Sequence, residues 1–398
     1  MKQGKASGRT IFSLTLAVLA VFAALAVGSP AQLNAAAHNR PLIETSFDDQ
    51  QWKGMQAATR PWTREEMMSA VPADLPGVNE QTLQRWAAEE LSGSVYNTAG
   101  GPGVIPGGGP AGQVNKMAAA EVEVAGGTGP IDPLGYSYPA PFTRYEAFPS
   151  FTIYPYKTVG KVFFTEPGIG NFVCSASSIG GDGVITAAHC VHDSATGTFW
   201  SNWVFVPAYR DGVAPYGQWT ANHLWFLSAY QDGGNGDSRF DIGGAVLNRK
   251  GTTKISASVG FLGFQWNQTT TATSAHWAIL GYPQAAPFNG NRLQICQASF
   301  AYTAGGSAPS PIGAGCDQTG GTSGGPWIRS FSGNAGATNY ANGVNSYRRC
   351  FDQACTSVYT FELFSPYFDN SAKALRDCIV NSVPGNPANP ALNCAPGT

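Results

Sequence analysis

Between Tyr145 and Phe364 the chain is a succession of short runs rich in β-branched and aromatic residues. They include KVFF, NFVCSASSI, GVITAAHCV, NWVFVPAY, AVLN, HWAILGY, RLQICQASFAYT, PWIRSF and SVYTFELF. Gly, Asn, Asp and Pro stand between them at turn positions. Many short strands over roughly 250 residues imply a sandwich or a barrel. Composition agrees: 49 Gly, 27 Pro and 12% aromatic residues in 398 favour strands and turns over long helices. One helix is expected near the end, where SPYFDNSAKALRDCIVN places Phe368, Leu375 and Ile379 on one face, packed on the barrel.

The residues before this region have a different texture. Lys2, Lys5 and Arg9 precede the uncharged run Ile11 to Val27, and small residues follow at Ser29 and Ala31. That pattern reads as a signal peptide, residues 1–31, cut after Ala31. An uncleaved anchor is the alternative, because the run is near the lower length limit for spanning. Residues 32–140 contain no cysteine. TREEMMSAV and NEQTLQRWAAEEL have helical patterning with acidic first turns, and Ala99 to Gly112 reads as a Gly/Pro-rich linker with no means of burying a core. An exported chain with such a leader is expected to carry a prosegment, a poorly ordered spacer being the bland alternative. The expected division is signal peptide 1–31, prosegment 32–140, a first catalytic half 141–265 and a second half with tail 266–398.

With 12% charged residues and a net charge of −2, no basic face argues for nucleic acid. All eight cysteines, Cys174, Cys190, Cys296, Cys316, Cys350, Cys355, Cys378 and Cys394, follow the signal. An even count in an exported chain argues for disulfides, with nearest-neighbour pairing as the simplest expectation. Zinc is disfavoured, since no CxxC occurs and only His189 and His192 lie near a cysteine. No metal or cofactor is expected.

Three residues carry the candidate chemistry. His189 ends the strand in VITAAHCV, beside Cys190, with Cys174 on the preceding strand. A bridge between those cysteines would brace the turn that presents a general base. Asp241 in RFDIGGAVLN leads into an apolar strand and is the candidate acceptor for the second imidazole nitrogen. Asp232 and Asp237, in a glycine-rich stretch, read as solvated turn residues. In DQTGGTSGGP, the amides of Gly321 and Ser323 are placed to converge where negative charge develops when the Ser323 hydroxyl attacks a carbonyl. A phosphate cradle would need a lysine and a hydroxyl after the glycines, and a slack linker would lack the anchors Cys316 and Trp327. GTSGG also matches the α/β-hydrolase elbow, but there the histidine follows the serine, and the last histidine here is His276. The order that remains is His189, Asp241, Ser323.

TAAHC, FDIGGAVL and GGTSGGPW resemble the three active-site motifs of the chymotrypsin-like serine peptidases. CDQTGGTSGGPW and the GYP at Gly281 resemble the secreted glutamyl-endopeptidase-like, or V8-like, branch. The resemblance spans Tyr145 to Tyr367. It implies an all-β fold of two six-stranded antiparallel Greek-key barrels, with the triad in the cleft between them. It also implies peptide-bond hydrolysis through an acyl-enzyme, with Ser323 as nucleophile, His189 as base and then acid, Asp241 orienting His189, and Gly321 and Ser323 forming the oxyanion hole. The family's bridge beside the histidine maps onto Cys174 and Cys190. Polypeptides are the implied substrates, and a monomer outside the cell is the expected form.

Two departures from the family pattern shape the expectations. Trypsin-type enzymes carry Asp before the nucleophile to pair with a new N-terminus; here Thr322 stands there. Release of a covering prosegment, acting as an intramolecular inhibitor, is therefore the expected activation, with PFTRYEAF around Arg144 as a processing region. Glutamyl endopeptidases bind the acidic side chain with a histidine on the strand after the nucleophile; here the position is Asn345. Asp317, six residues before Ser323, has the spacing of trypsin's basic-residue pocket. Asp317 and Asn345 are thus the candidate specificity residues. An esterase with the same triad and a catalytically inactive, trypsin-fold binding or adhesion protein are the alternatives; the presence of all three triad members favours the peptidase. His192, His223 and His276 are expected to be structural.

Overall fold

The computed structural model describes residues 43–45, 59–88, 101–109, 139–233, 236–270, 275–304, 310–333 and 339–385. All belong to the unit Arg40–Thr398. The expected signal peptide and its cut after Ala31, and Cys394 with its expected bond to Cys378, lie outside the described residues. Among the described residues no helix is long and apolar enough to cross a membrane.

The leader contributes short elements. Strand β1 (Ile43–Thr45) is followed by helix α1 (Arg64–Ser69). Thr63 and Glu66 form a reciprocal capping box: Glu66 N donates to Thr63 Oγ1 at 3.2 Å, and Thr63 N donates to Glu66 Oε2 at 2.8 Å. Strands β2 (Val71–Pro72) and β3 (Gly77–Val78) precede helix α2 (Glu80–Ala88), which buries Leu83 and Trp86, three apart on one face. Next comes β4 (Gly103–Ile105), antiparallel to an edge strand of the second sheet. The described part of the Gly/Pro-rich linker Ala99–Gly112 thus carries a short edge strand. A segment without side chains to bury can still satisfy its backbone on a sheet edge, and glycine lets it approach closely: a Cβ on Gly107 would stand 2.4 Å from Gly263 N.

After β5 (Thr143–Glu146), which joins the second sheet, the first barrel is built from six antiparallel strands. These are β6 (Val159–Glu166), β7 (Gly170–Gly180), β8 (Gly183–Thr186), β11 (Ser201–Pro207), β12 (Trp219–Leu227) and β13 (Gly243–Leu247). A small hairpin, β9 (His192–Asp193) with β10 (Thr198–Phe199), lies between them. The ring runs β12-β11-β6-β7-β8-β13 and closes by pairing β13 with β12. β1 adds to β12, and β2 lies parallel to β7.

Helix α3 (Ile255–Val259) leads to the second sheet: β14 (Gly263–Trp266), β15 (His276–Gly281), β16 (Gln294–Thr303), β17 (Ile312–Gly315), β18 (Pro326–Arg329), β19 (Tyr340–Val344) and β21 (Glu362–Ser365), while β20 (Arg348–Arg349) pairs with β3 in a small sheet of its own. The order β21-β17-β16-β15-β18-β19 curls until the chain leaving β19 meets β21, where Ser346 N donates to Phe364 O and Phe364 N to Tyr347 O, both at 3.0 Å. The fold is thus all-β with two six-stranded barrels, as the motifs imply. Helix α4 (Asn370–Asn381) starts at Asp369, whose Oδ1 accepts from Ser371 N at 2.9 Å and Ala372 N at 3.1 Å. Phe368, Leu375 and Ile379 are all fully buried. The helix docks on the first barrel, since Ile379 Cδ1 lies 2.5 Å from where a Cβ on Gly244 would be. Cys174–Cys190, Cys296–Cys316 and Cys350–Cys355 are bonded.

Candidate active site

His189 leaves β8 in a tight 3₁₀ turn, Ala188–Cys190, and that turn is fastened from several sides. Cys190 is bonded to Cys174 on β7. Trp200 Nε1 donates to His189 O at 2.8 Å, and Trp203 Nε1 to Cys190 O at 2.9 Å. Asp241, fully buried, completes the arrangement. Its Oδ1 accepts from the His189 backbone N–H at 2.9 Å, and its Oδ2 lies 2.8 Å from His189 Nδ1. Ser346 Oγ donates to the same Oδ2 at 2.6 Å. This contact suits the tautomer in which Nδ1 donates to the carboxylate and Nε2 keeps its lone pair. Tyr230 is pushed up from its ordinary range, first by burial and then by the negative charge of Asp241.

Ser323 is fully buried at the centre of a loop that only glycine permits. Gly324 has φ +78°, and a Cβ there would stand 1.9 Å from Thr186 Oγ1 and 2.7 Å from Ala187 N. The residue after Ser323 is therefore pressed against the strand end that delivers His189. The loop is tied to the first barrel by Ser175, whose N–H donates to Ser323 O at 2.7 Å and whose Oγ donates to Gly321 O at 3.0 Å. Ser323 Oγ and His189 Nε2 are both buried with no hydrogen-bond partner among the described residues. Other buried polar atoms share this state, Ser177 Oγ and Ser178 Oγ among them, so what singles out Ser323 and His189 is their place beside the Asp241 pair and the Gly324 turn. A cavity of about 640 Å³ opens beside His189, bounded by Glu166, Trp200, Tyr230 and the leader residues Ala73 and Asp74.

The candidate specificity residues are otherwise engaged. Asn345 is fully buried; its Nδ2 donates to Thr322 Oγ1 at 2.8 Å and to the Thr322 and Leu280 carbonyls at 3.1 Å, and its Oδ1 accepts from Trp327 Nε1 at 2.8 Å. It holds the loop from behind. Asp317 pairs with Arg144 Nε at 2.9 Å. Arg144 itself lies in β5, paired antiparallel with β16. Asp237, expected as a solvated turn residue, is buried and paired with Arg239 at 2.6 Å; the side chain of Asp232 lies outside the described set.

The other histidines are placed in packed or peripheral positions. His192 stacks on Phe226 at 4.2 Å, burial pulls His223 down to about 3, and His276 lies at the surface near Ser299. Sequence reasoning missed Ser175, Ser346, Trp200 and the buried Lys161. Lys161 Nζ donates to Gln284 Oε1 at 2.6 Å and to Gly290 O at 2.9 Å, and burial lowers it to about 7.

Two antiparallel six-stranded barrels, with a histidine–aspartate pair on one and a glycine-cradled serine on the other, define the chymotrypsin-like class. No family model matches the chain. Over 132 residues it is 26% identical to the glutamyl endopeptidase of Bacillus licheniformis, an alignment covering 33% of this chain and 38% of that protein. The chain thus matches less than half the length of that relative. Among solved structures it is similar to the protease Anisep of Arthrobacter nicotinovorans, with 33% identity, 57% of this chain and 96% of that one covered, and a TM-score of 0.47. A thermostable serine protease, AL20, from an extremophilic microorganism gives 33% identity, coverage of 57% and 98%, and a TM-score of 0.49. A Glu endopeptidase gives 18% identity, coverage of 60% and 97%, and a TM-score of 0.45. The resemblance to the glutamyl-endopeptidase-like branch therefore rests on an aligned relative as well as on motifs.

Proposed function

We propose that this chain is an exported serine endopeptidase, made with a signal peptide (1–31) and an inhibitory prosegment (32–140) before the two-barrel catalytic part. The observation that carries the reading is Asp241 gripping both the backbone and the ring of His189 while Ser323 Oγ stays buried and unpaired. Ser323 Oγ attacks the peptide carbonyl as His189 Nε2 takes its proton. The Gly321 and Ser323 amides stabilise the oxyanion, a contribution of roughly 3–4 kcal/mol per donor in comparable sites. His189 then gives the proton to the departing amine, leaving an acyl-enzyme that water hydrolyses. The named activity of the Bacillus relative supports peptides as substrates. It does not bring acidic specificity with it, because Asn345 has its polar atoms committed to the loop. Three disulfides support an oxidising, extracellular location, and the active form is proposed to be a monomer needing no cofactor.

The test is to treat the processed protein with a fluorophosphonate probe and map the label by mass spectrometry. Label on Ser323 that disappears in His189→Ala is expected. No label on processed protein would break the peptidase reading and favour an inactive binding protein on the same fold.

A further inference from the structure

The leader passes through the cleft with its backbone bonded to both barrels. On the first barrel, β2 lies parallel to β7, with Val71 opposite Phe172 and Pro72 opposite Val173. Ala73 N donates to Val173 O at 3.0 Å, one residue from the Cys174–Cys190 bridge that braces His189. The Ala73 carbonyl then accepts from Gly321 N at 3.0 Å. That amide is one of the two proposed oxyanion donors. On the second barrel, Arg348 N donates to Pro76 O at 3.0 Å and Cys350 N to Val78 O at 2.9 Å, with β3 parallel to β20. Arg348 follows by two residues the Ser346 that bonds Asp241.

Each side of the crossing ends in a buried tryptophan. Trp62 packs on Phe163 of β6, ring centroids 5.6 Å apart, and its Nε1 donates to Asn202 O at 3.0 Å. Trp86 of α2 meets Tyr347 edge-on at 6.1 Å and lies under the Arg239 guanidinium at 5.2 Å. Val78, Leu83 and Trp86 form one apolar cluster with Tyr302, Tyr347 and Phe364 of the second barrel.

We propose that residues 59–88 are a two-anchored plug that seats a peptide carbonyl on Gly321 N and so withholds the oxyanion donor from an incoming substrate. The proposal rests on the endopeptidase reading and specifies how the prosegment acts. Cleavage of the crossing segment would not free the cleft, since each half would keep its own tryptophan anchor and main-chain bonds. Activation therefore requires loss of an anchor, not a cut at Ala73. The cavity beside His189 leaves room for a probe, but an acylating ligand still needs the Gly321 amide.

The experiment measures the rate at which a fluorophosphonate labels Ser323 in the full chain, in the wild type and in Trp86→Ala and Leu83→Ala, with thermal melts to confirm folding. Labelling rate follows the fraction of open cleft, so each variant is expected to label at least about tenfold faster. A synthetic peptide of residues 59–88 added to Trp86→Ala is expected to slow labelling again. Equal rates in all three chains, with Ser323 labelled, would overturn the plug and leave the peptidase reading standing. Faster labelling that the peptide fails to reverse, or turnover of the chain at Ala73–Asp74 that releases activity, would also overturn it. No label in these chains, and none on protein from which residues 59–88 have been removed, would remove the peptidase reading and the plug with it.

Discussion

Ser346 Oγ and His189 Nδ1 share one oxygen of Asp241, at 2.6 Å and 2.8 Å. The hydroxyl comes from the chain leaving β19 and the imidazole from the turn after β8, so this carboxylate joins the two barrels at the proposed catalytic centre. Removing one donor from a buried, ionised acceptor costs about 1–3 kcal/mol. Ser346→Ala is therefore expected to lower the Tm by several degrees and kcat/KM by about tenfold to a hundredfold. Asp241→Asn should be far worse, on the order of 10⁴ in kcat, because the amide can hold the imidazole in the wrong tautomer. Peptide hydrolysis rates and melts of both variants check the order.

Gly324 is expected to be irreplaceable even by alanine. Its φ of +78° disfavours any L side chain, and the added methyl would collide with Thr186 Oγ1 and the Ser175 carbonyl. The loop would have to retreat from the strand end that carries His189. Gly324→Ala should destabilise by about 1–3 kcal/mol and lose most of its fluorophosphonate labelling of Ser323. Normal labelling would show that the loop can relax without losing the alignment.

What could be read in advance, and what could not, divides along a physical line. His189, Asp241 and Ser323 are legible as candidates because the proposed chemistry demands particular residue types in short, strand-end or glycine-rich settings. Ser175 and Ser346 are not, because a serine hydroxyl carries no local sign of a partner more than 100 positions away. Asp237 misleads for the opposite reason: its glycine-rich surroundings suggest a solvated turn, yet Arg239 folds back onto it. The strand at Gly103–Ile105 was hidden because edge pairing uses only backbone groups, to which composition is blind. The same blindness conceals the leader's main-chain bonds to Gly321 and β7, although the helical pattern of α2 was visible.

Asn345 offers a clean separation of support from recognition. The sequence resemblance makes it a candidate specificity residue, and in the structure it satisfies Trp327 Nε1 and the Thr322 loop. Asn345→Ala would leave a buried indole N–H unpaired and a small cavity, a loss of about 2–4 kcal/mol. The expected result is a lower Tm and lower kcat, with unchanged ratios of kcat/KM across substrates bearing acidic, basic and apolar side chains. A changed ratio would return Asn345 to the specificity site.

Lys161 should give the fold a distinctive alkaline response. Burial lowers its folded value to about 7, from 10.5 for the free side chain. Between those limits the unfolded chain holds a proton that the folded chain does not, so stability rises with pH across that window. Below about 7 the folded lysine is charged as well, and the penalty for burying it is constant. Its charge faces the Phe163 and Tyr209 rings, with Gln284 Oε1 and Gly290 O as acceptors; Tyr209, raised to about 12 by burial, stays neutral throughout. Urea midpoints of the wild type should therefore climb from pH 7 towards pH 10, and that climb should flatten in Lys161→Met. The variant also tests the link to the leader, since Gln284 Nε2 donates to Ala70 O at 2.5 Å while its Oε1 accepts from Lys161. If the slope persists unchanged in Lys161→Met, another group is responsible for it.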